Sequence, residues 1–385
     1  MKSILPTKEG LLTMPIETID IIIDYLNVRD LQNLSKSCRQ LRRAARIFHF
    51  GVNSPIWKDI TNDLIIAPPI SNYRDGVLID GNFYIVVLTE NAPMCWILDF
   101  AQSTVRWIQV PILISMNREE YHPIRSTAGA AIKNEIYMFG GESILTGQPT
   151  NIMYRLDIRT MNLCKVIVNG NYPTPRLMHS FDSVDSGHII LFGGRCMTHG
   201  KELYDTKDIF IYSVDKNVWV KYDQSSNLPY PRSLHTSGVI NGLLYIYGGQ
   251  HLTFHSLNSI HDDDDMWVYD SCKNTWRKYL ASPSSRLCLP KDWIPTSGIG
   301  PGRRCGAAIF IMRRKIIILG GARKYNDTEK NEDMNIFCPV KKNWERVQID
   351  GMPRLECVAI KNRGNNVFII GKNREAKIVM GWIMD

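Results

Sequence analysis

Five arginines stand at nearly constant distances ahead of a glycine. Arg125, Arg176, Arg232, Arg303 and Arg354 precede Gly140, Gly193, Gly248, Gly320 and Gly371 by 15, 17, 16, 17 and 17 residues. A guanidinium presents forked donors that match the two oxygens of a carboxylate or a phosphate. Gathered at one rim, five of them would form a basic mouth for an acidic or phosphorylated peptide. The same group also suits backbone carbonyls between neighbouring units, and that structural use is the stronger reading. His179 and His235 follow their arginines by three residues, but the matching positions hold Gly306 and Cys357, which favours packing over catalysis. The run Asp262 to Asp265 invites calcium, yet four consecutive carboxylates lack the spaced ligands of a calcium loop. Trp293 lies in a long insertion, Ala281 to Gly302, and is a second candidate for substrate contact, since long loops on rigid scaffolds carry binding.

Other chemistry lacks its parts. The chain has no phosphate loop, no GxSxG and no HExxH. Its nine cysteines are odd in number, scattered and never arranged as CxxC, which suits reduced intracellular thiols better than a disulfide framework or zinc. No cofactor and no metal are expected, and the chain reads as non-catalytic. At 44% hydrophobic and 22% charged it has the composition of a globular protein. The net charge of +8 permits acidic peptides and nucleic acid as partners without singling out either. The first residues, MKSILPTKEG, lack a continuous apolar core, and Glu17, Asp20 and Asp24 interrupt the next apolar stretch. Neither a signal peptide nor a membrane span is expected, which places the chain in the cytoplasm, the nucleus or both.

The elements that would position these residues repeat. Apolar stretches end on a glycine pair four times, as IYMFGG, ILFGGR, LYIYGG and IIILGG, with first glycines at 140, 193, 248 and 320. Projection by one period reaches VFIIGK, with Gly371, and FYIVVL, with Val87 in the glycine's place, making six units. A second signature comes after each pair: an aromatic and a tryptophan seven apart, at Phe100/Trp107, Tyr212/Trp219, Tyr269/Trp276 and Phe337/Trp344, with Leu156/Leu163 as a degenerate copy. Asp208, Asp265 and Asp333 stand four residues before the aromatic, where they are expected to bond backbone and shape the turn into a strand.

These residues resemble the kelch-repeat family over about residues 66 to 385. The resemblance implies a mainly β protein with a six-bladed β-propeller over 67–385, each unit a four-stranded blade. The glycine pairs would let backbone approach backbone where blades crowd together. After Gly371 too little chain remains for a complete last blade, so Ser54 to Ile66 is expected to supply the missing strand, with Trp57 in the tryptophan position. Some kelch-like propellers are copper oxidases, but the crosslinked Cys-Tyr and paired histidine ligands these need are not found in the sequence.

Residues 11–51 change character, between an N-terminal tail at 1–10 and a linker with the closing strand at 52–66. Ile16, Ile19, Ile22, Ile23 and Leu26 recur at helical spacing behind Pro15; Leu31, Leu34, Cys38, Leu41 and Ala45 form a second stripe behind Asp30. The string from Leu11 to Ile47 is similar to an F-box, a small all-α module. The resemblance places Met14, Pro15, Ile19, Ile22, Leu26, Leu31, Leu34, Cys38 and Leu41 against a Skp-family adaptor. Trp57 also fits the tryptophan that comes after many F-boxes, so it has two readings. The resemblance implies the substrate-recognition subunit of an SCF-type ubiquitin ligase: the F-box docks on the adaptor and cullin scaffold, and the propeller binds a protein substrate. The competing reading is a kelch interaction scaffold outside any ligase, cytoskeletal or nucleic-acid-associated, but only an F-box explains residues 11–51. The basic run Arg39 to Arg46 reads as a solvated helix face or a nuclear signal.

Overall fold

The computed structural model describes residues 56–59 and 76–384, apart from 100–105, 223–227, 253–263, 281–290, 323–332, 350–355, 373–377 and positions 81, 118, 313, 364 and 365. The regular elements among them are all strands. The helices expected over 11–51, the adaptor-facing positions from Met14 to Leu41, and Arg354 lie outside the described residues. No helix among the described residues is long and apolar enough to cross a membrane, and none of their His, Cys, Asp and Glu side chains group as a metal site.

Strand formation arises from the apolar runs. Glu135–Phe139, His188–Phe192, Leu243–Tyr247 and Lys315–Leu319 each begin with a partly exposed or exposed residue and continue with four buried ones. Burial on both sides is the mark of a strand whose sheet is covered on each face. Asn241 and Gly242, both at positive φ, make the two-residue turn that returns Thr236–Ile240 into Leu243–Tyr247.

The strands assemble into six sheets of four or five strands, the blades of a β-propeller. The third blade shows the pattern: Ser180–Ser183, His188–Phe192, Ile209–Ser213 and Val218–Lys221 pair antiparallel from the inside outward, and Asn169–Gly170 adds a parallel edge. Inner strands adjoin in sequence from Val77–Ile79 through Ala128–Ile132, Ser180–Ser183, Thr236–Ile240 and Ala308–Met312 to Glu356–Arg363. The glycine pairs at 140, 193, 248 and 320 stand directly after the second strands of blades 2 to 5.

Aromatic rings fill the wedges between blades. Tyr212 lies opposite Trp219, Tyr269 opposite Trp276, Phe337 opposite Trp344, and Leu156 opposite Leu163. Each of these tryptophans also meets the ring that precedes the glycine pair of the blade before it. Phe139 is 5.5 Å from Trp219, Phe192 5.1 Å from Trp276 and Tyr247 5.7 Å from Trp344. The first blade departs from the expected pairing. Trp107 lies opposite Leu98 rather than Phe100, because Met94–Asp99 ends before Phe100, which itself lies outside the described residues.

The sixth blade takes its fourth strand from the other end of the chain. Ile56–Asp59 pairs antiparallel with Ile378–Met384, with Ile56 opposite Met384 and Trp57 opposite Ile383. Trp57 is the second residue of its strand, the place Trp107, Trp219, Trp276 and Trp344 hold in theirs.

Alternating strand directions give the ring two unlike faces. Connections from first to second and from third to fourth strands emerge on one side and are short. Connections from second to third strands, and from each fourth strand to the next blade, emerge on the other and are long in blades 2 to 5, while that of the first blade, 88–93, matches its third-to-fourth connection, 100–105, in length. Since Ile56 lies beside Met384, at the end of the third strand of its blade, the chain enters the sixth blade on the short-turn face.

Candidate functional site

The arginines are set by the blade junctions. Gly140, Gly193 and Gly248 all have positive φ. A Cβ on Gly140 would stand 2.5 Å from the carbonyl oxygen of Arg176, and one on Gly193 2.7 Å from that of Arg232. That carbonyl accepts from the second glycine: Gly141 N–H donates to Arg176 O at 2.9 Å, Gly194 to Arg232 O at 2.8 Å and Gly249 to Arg304 O at 3.0 Å. The side chain then reaches forward within its own blade. Arg176 Nη1 donates to Gly193 O at 3.0 Å, Arg232 to Gly248 O at 2.8 Å and Arg304 to Gly320 O at 2.9 Å. Main chain and side chain of one arginine therefore tie the glycine pairs of two successive blades, and three such links join blades 2 to 5.

The expected basic mouth does not form among the described residues. Arg176 and Arg232 are 0% and 2% exposed, so their guanidinium groups are closed to a substrate. Arg303 is exposed and stands outside the junction; its neighbour Arg304 occupies it, 2% exposed. Arg125 is likewise one residue off. The bridge of Arg125 to Glu142 corresponds to those of Leu177 to Arg195 and Cys305 to Ala322, so buried Ile124 holds the junction position in the second blade. Arg125 instead reaches Glu142 at 2.6 Å on the surface. The physical reason is the period of two along extended chain: a shift of one residue exchanges inside for outside.

Two of the three spaced aspartates bind these arginines. Asp208 lies 3.4 Å from Arg176 and 3.2 Å from Lys221, and Asp333 lies 3.1 Å from both Arg304 and Arg346. Asp265 pairs with Lys278. Burial alone would raise the Asp333 carboxyl, but Arg304, Asn335 and Arg346 hold it below the ordinary carboxylate range. His179 packs edge-on against Phe139 at 5.6 Å, and burial, reinforced by Arg176, lowers its pKa to about 3. Such an imidazole stays neutral and fills space. Trp293 is half-buried at the outer edge of the fourth blade, where Trp293–Ile294 runs parallel to Thr275–Tyr279 and Lys278 Nζ lies 4.6 Å from its ring centre. It faces neither mouth of the ring.

The long-loop face carries features that sequence reasoning missed. Arg195–Met197 and Leu203–Asp205 form a hairpin there. Arg195 grips Asp205 through two bonds of 2.9 and 3.2 Å and reaches Ser233 Oγ at 3.0 Å, while Leu252 N–H donates to Asp205 at 2.7 Å. Ile144, Leu145, Leu203 and Tyr230 are exposed in the long connections of the second and third blades, Tyr230 by 68%, whereas Ile299, 77% exposed, lies on the outer edge of the fifth blade, just after Ser297, which bridges to Asn343. The first four stand in connections on the long-loop side, and isolated apolar letters in loop sequence gave no signal of that shared side.

The chain matches a family model for the KLHDC2/KLHL20/DRC7 Kelch-repeats domain over residues 126–371 and one for the F-box domain over residues 11–53. It is 28% identical over 191 residues to Kelch domain-containing protein 3 of Bos taurus, covering 48% of this chain and 44% of that protein. It is 29% identical over 150 residues to Rho GTPase-activating protein gacHH of Dictyostelium discoideum, covering 39% and 8%. Tip elongation aberrant protein 1 of Schizosaccharomyces pombe is 25% identical over 203 residues, covering 50% and 15%. The chain thus spans less than half the length of each of these relatives. Glycine-pair junctions, paired aromatics and six sheets agree with the matched model, and the chain belongs to the kelch-repeat family, with an F-box domain ahead of its β-propeller.

Proposed function

We propose that this protein is the substrate-recognition subunit of an SCF-type cullin-RING ubiquitin ligase and is itself non-catalytic. F-box domains bind Skp-family adaptors; here Met14, Pro15, Ile19, Ile22, Leu26, Leu31, Leu34, Cys38 and Leu41 would meet the adaptor, which in turn holds the cullin scaffold. The propeller would take a protein substrate. The single observation that carries this reading is the order of parts: an F-box match ending at residue 53, with a strand of the propeller directly after it. The exposed Ile144, Leu145, Leu203 and Tyr230 support capture of a protein segment on the long-loop face. The buried Arg176, Arg232 and Arg304 lend no support to selection of an acidic or phosphorylated peptide. A cytoplasmic or nuclear location goes with this reading.

The test is co-purification of the full chain with adaptor and cullin. Replacing Pro15 and Leu26 together by aspartate is expected to remove both partners while the melting curve of the propeller stays where it was. Retention of adaptor and cullin by the double variant would sink the docking model. Filaments or nucleic acid recovered in their place would support a scaffold outside the ligase.

A further inference from the structure

The short-turn face is polarised in charge, and the polarity lies beside the F-box tether. In blades 1 to 4 the short turns or the strand ends beside them carry Asp80, Asp157, Asp185 with Asp215, and Asp270, which offset the bases Lys133, Arg159, Lys216 and Lys273 of the same turns. The fifth blade differs. Its first turn reads MRRK and its second CPVKKN, without a carboxylate, and Cys338 stands where the second and fourth blades have Asp157 and Asp270. Arg314, Lys341 and Lys342 are exposed there, and Val340 between them is 46% exposed. The pairing of Ile316 with Phe337 and of Cys338 with Asn343 sets the two turns side by side, one strand spacing or two apart. In the adjoining sixth blade, Lys361 and Arg363 end the inner strand at the same face.

Chain entry fixes what would meet this patch. Residue 53 ends the F-box match and Ile56 starts the closing strand on the short-turn face, so the tether spans about 10 Å at most. Whatever the F-box binds is held at that face at high local concentration, where even a weak second contact adds to affinity. We propose that the basic end of the fifth blade is a second docking surface for the partner bound to the F-box, contacting an acidic surface of that partner. The proposal rests on the ligase reading above and deepens it: the propeller both offers the long-loop face outward and braces the adaptor with the opposite one.

The experiment measures Kd of the full chain for a purified Skp-family adaptor bound to the N-terminal half of a cullin, at low and high salt. The variant is Arg314→Glu with Lys341→Glu and Lys342→Glu; Lys133→Glu with Arg159→Glu, on the same face of the second blade, is the control. The triple variant is expected to bind about tenfold more weakly at low salt and to lose most of the salt dependence, with the control unchanged. A triple variant with the affinity and salt slope of the parent overturns the proposal. So does loss of retention of a 30-nucleotide DNA with adaptor affinity intact, which would mark a nucleic-acid surface. If the parent chain itself fails to bind the adaptor, the ligase reading falls and takes this one with it. Matching melting curves for the three proteins establish that folding is not the cause.

Discussion

At the scale of single residues, the junction shows why glycine cannot be replaced. Gly193 has a φ of 64°, its Cβ position lies 2.7 Å from Arg232 O, and its carbonyl holds Arg176. Gly193→Ala is expected to destabilise the protein by about 2–4 kcal/mol, read from denaturant midpoints. A milder effect belongs to Asp182, whose carboxylate accepts from Ser237 Oγ across the third and fourth blades at 2.6 Å. Burial raises its pKa to about 6, partly offset by that hydrogen bond. Since the folded value lies above the ordinary one, stability from this group is full below about pH 4 and is lost as pH rises toward 6. Asp182→Asn keeps the acceptor without the charge, so at pH 7.5 it is expected to be more stable than the parent by on the order of 1 kcal/mol, with the difference vanishing near pH 4. Equal pH profiles for the two proteins would contradict this account.

At the scale of elements, the sixth blade depends on a strand far away in sequence. Without Ile56–Asp59, Ile378–Met384 would present an unpaired edge at the perimeter. Deleting residues 54–66 is expected to lower the melting temperature by about 5 °C or more and to promote association through that edge. An unchanged melting temperature and a monomeric product would show that closure contributes nothing. The other blades need no such help, because each draws all four main strands from one continuous stretch, with turns as short as Asn241-Gly242.

At the scale of the whole molecule, the proposed function would have one ring separate two tasks. The short-turn face receives the chain directly after the F-box, and the long-loop face holds the Arg195–Asp205 frame and the connections that carry exposed Ile144, Leu145, Leu203 and Tyr230. Loss of adaptor from the Pro15 and Leu26 double variant, with the ring intact, would show these tasks to be separable. Charge reversal on the fifth blade would then report how far the ring itself takes part in docking.

Much of this architecture was legible in the residues because it is local and repeated. Glycine pairs after apolar runs, and an aromatic seven residues from a tryptophan, state where strands end and which residues lie opposite one another. The pairs at Tyr212, Tyr269 and Phe337 obey that spacing, whereas Trp107 does not, its partner being Leu98. The arginines were harder, because spacing of 16 or 17 residues fits either Arg303 or Arg304. Only the bridge of Cys305 to Ala322 decides which of them turns inward. Which loops share a face likewise depends on strand direction around a closed ring, a property of no single segment. The sequence by itself determined repeat, strand and junction chemistry, since these arise from neighbours along the chain. Tertiary structure alone decided which guanidinium groups are shut away and which apolar side chains stay exposed, since burial is settled by the blade next door.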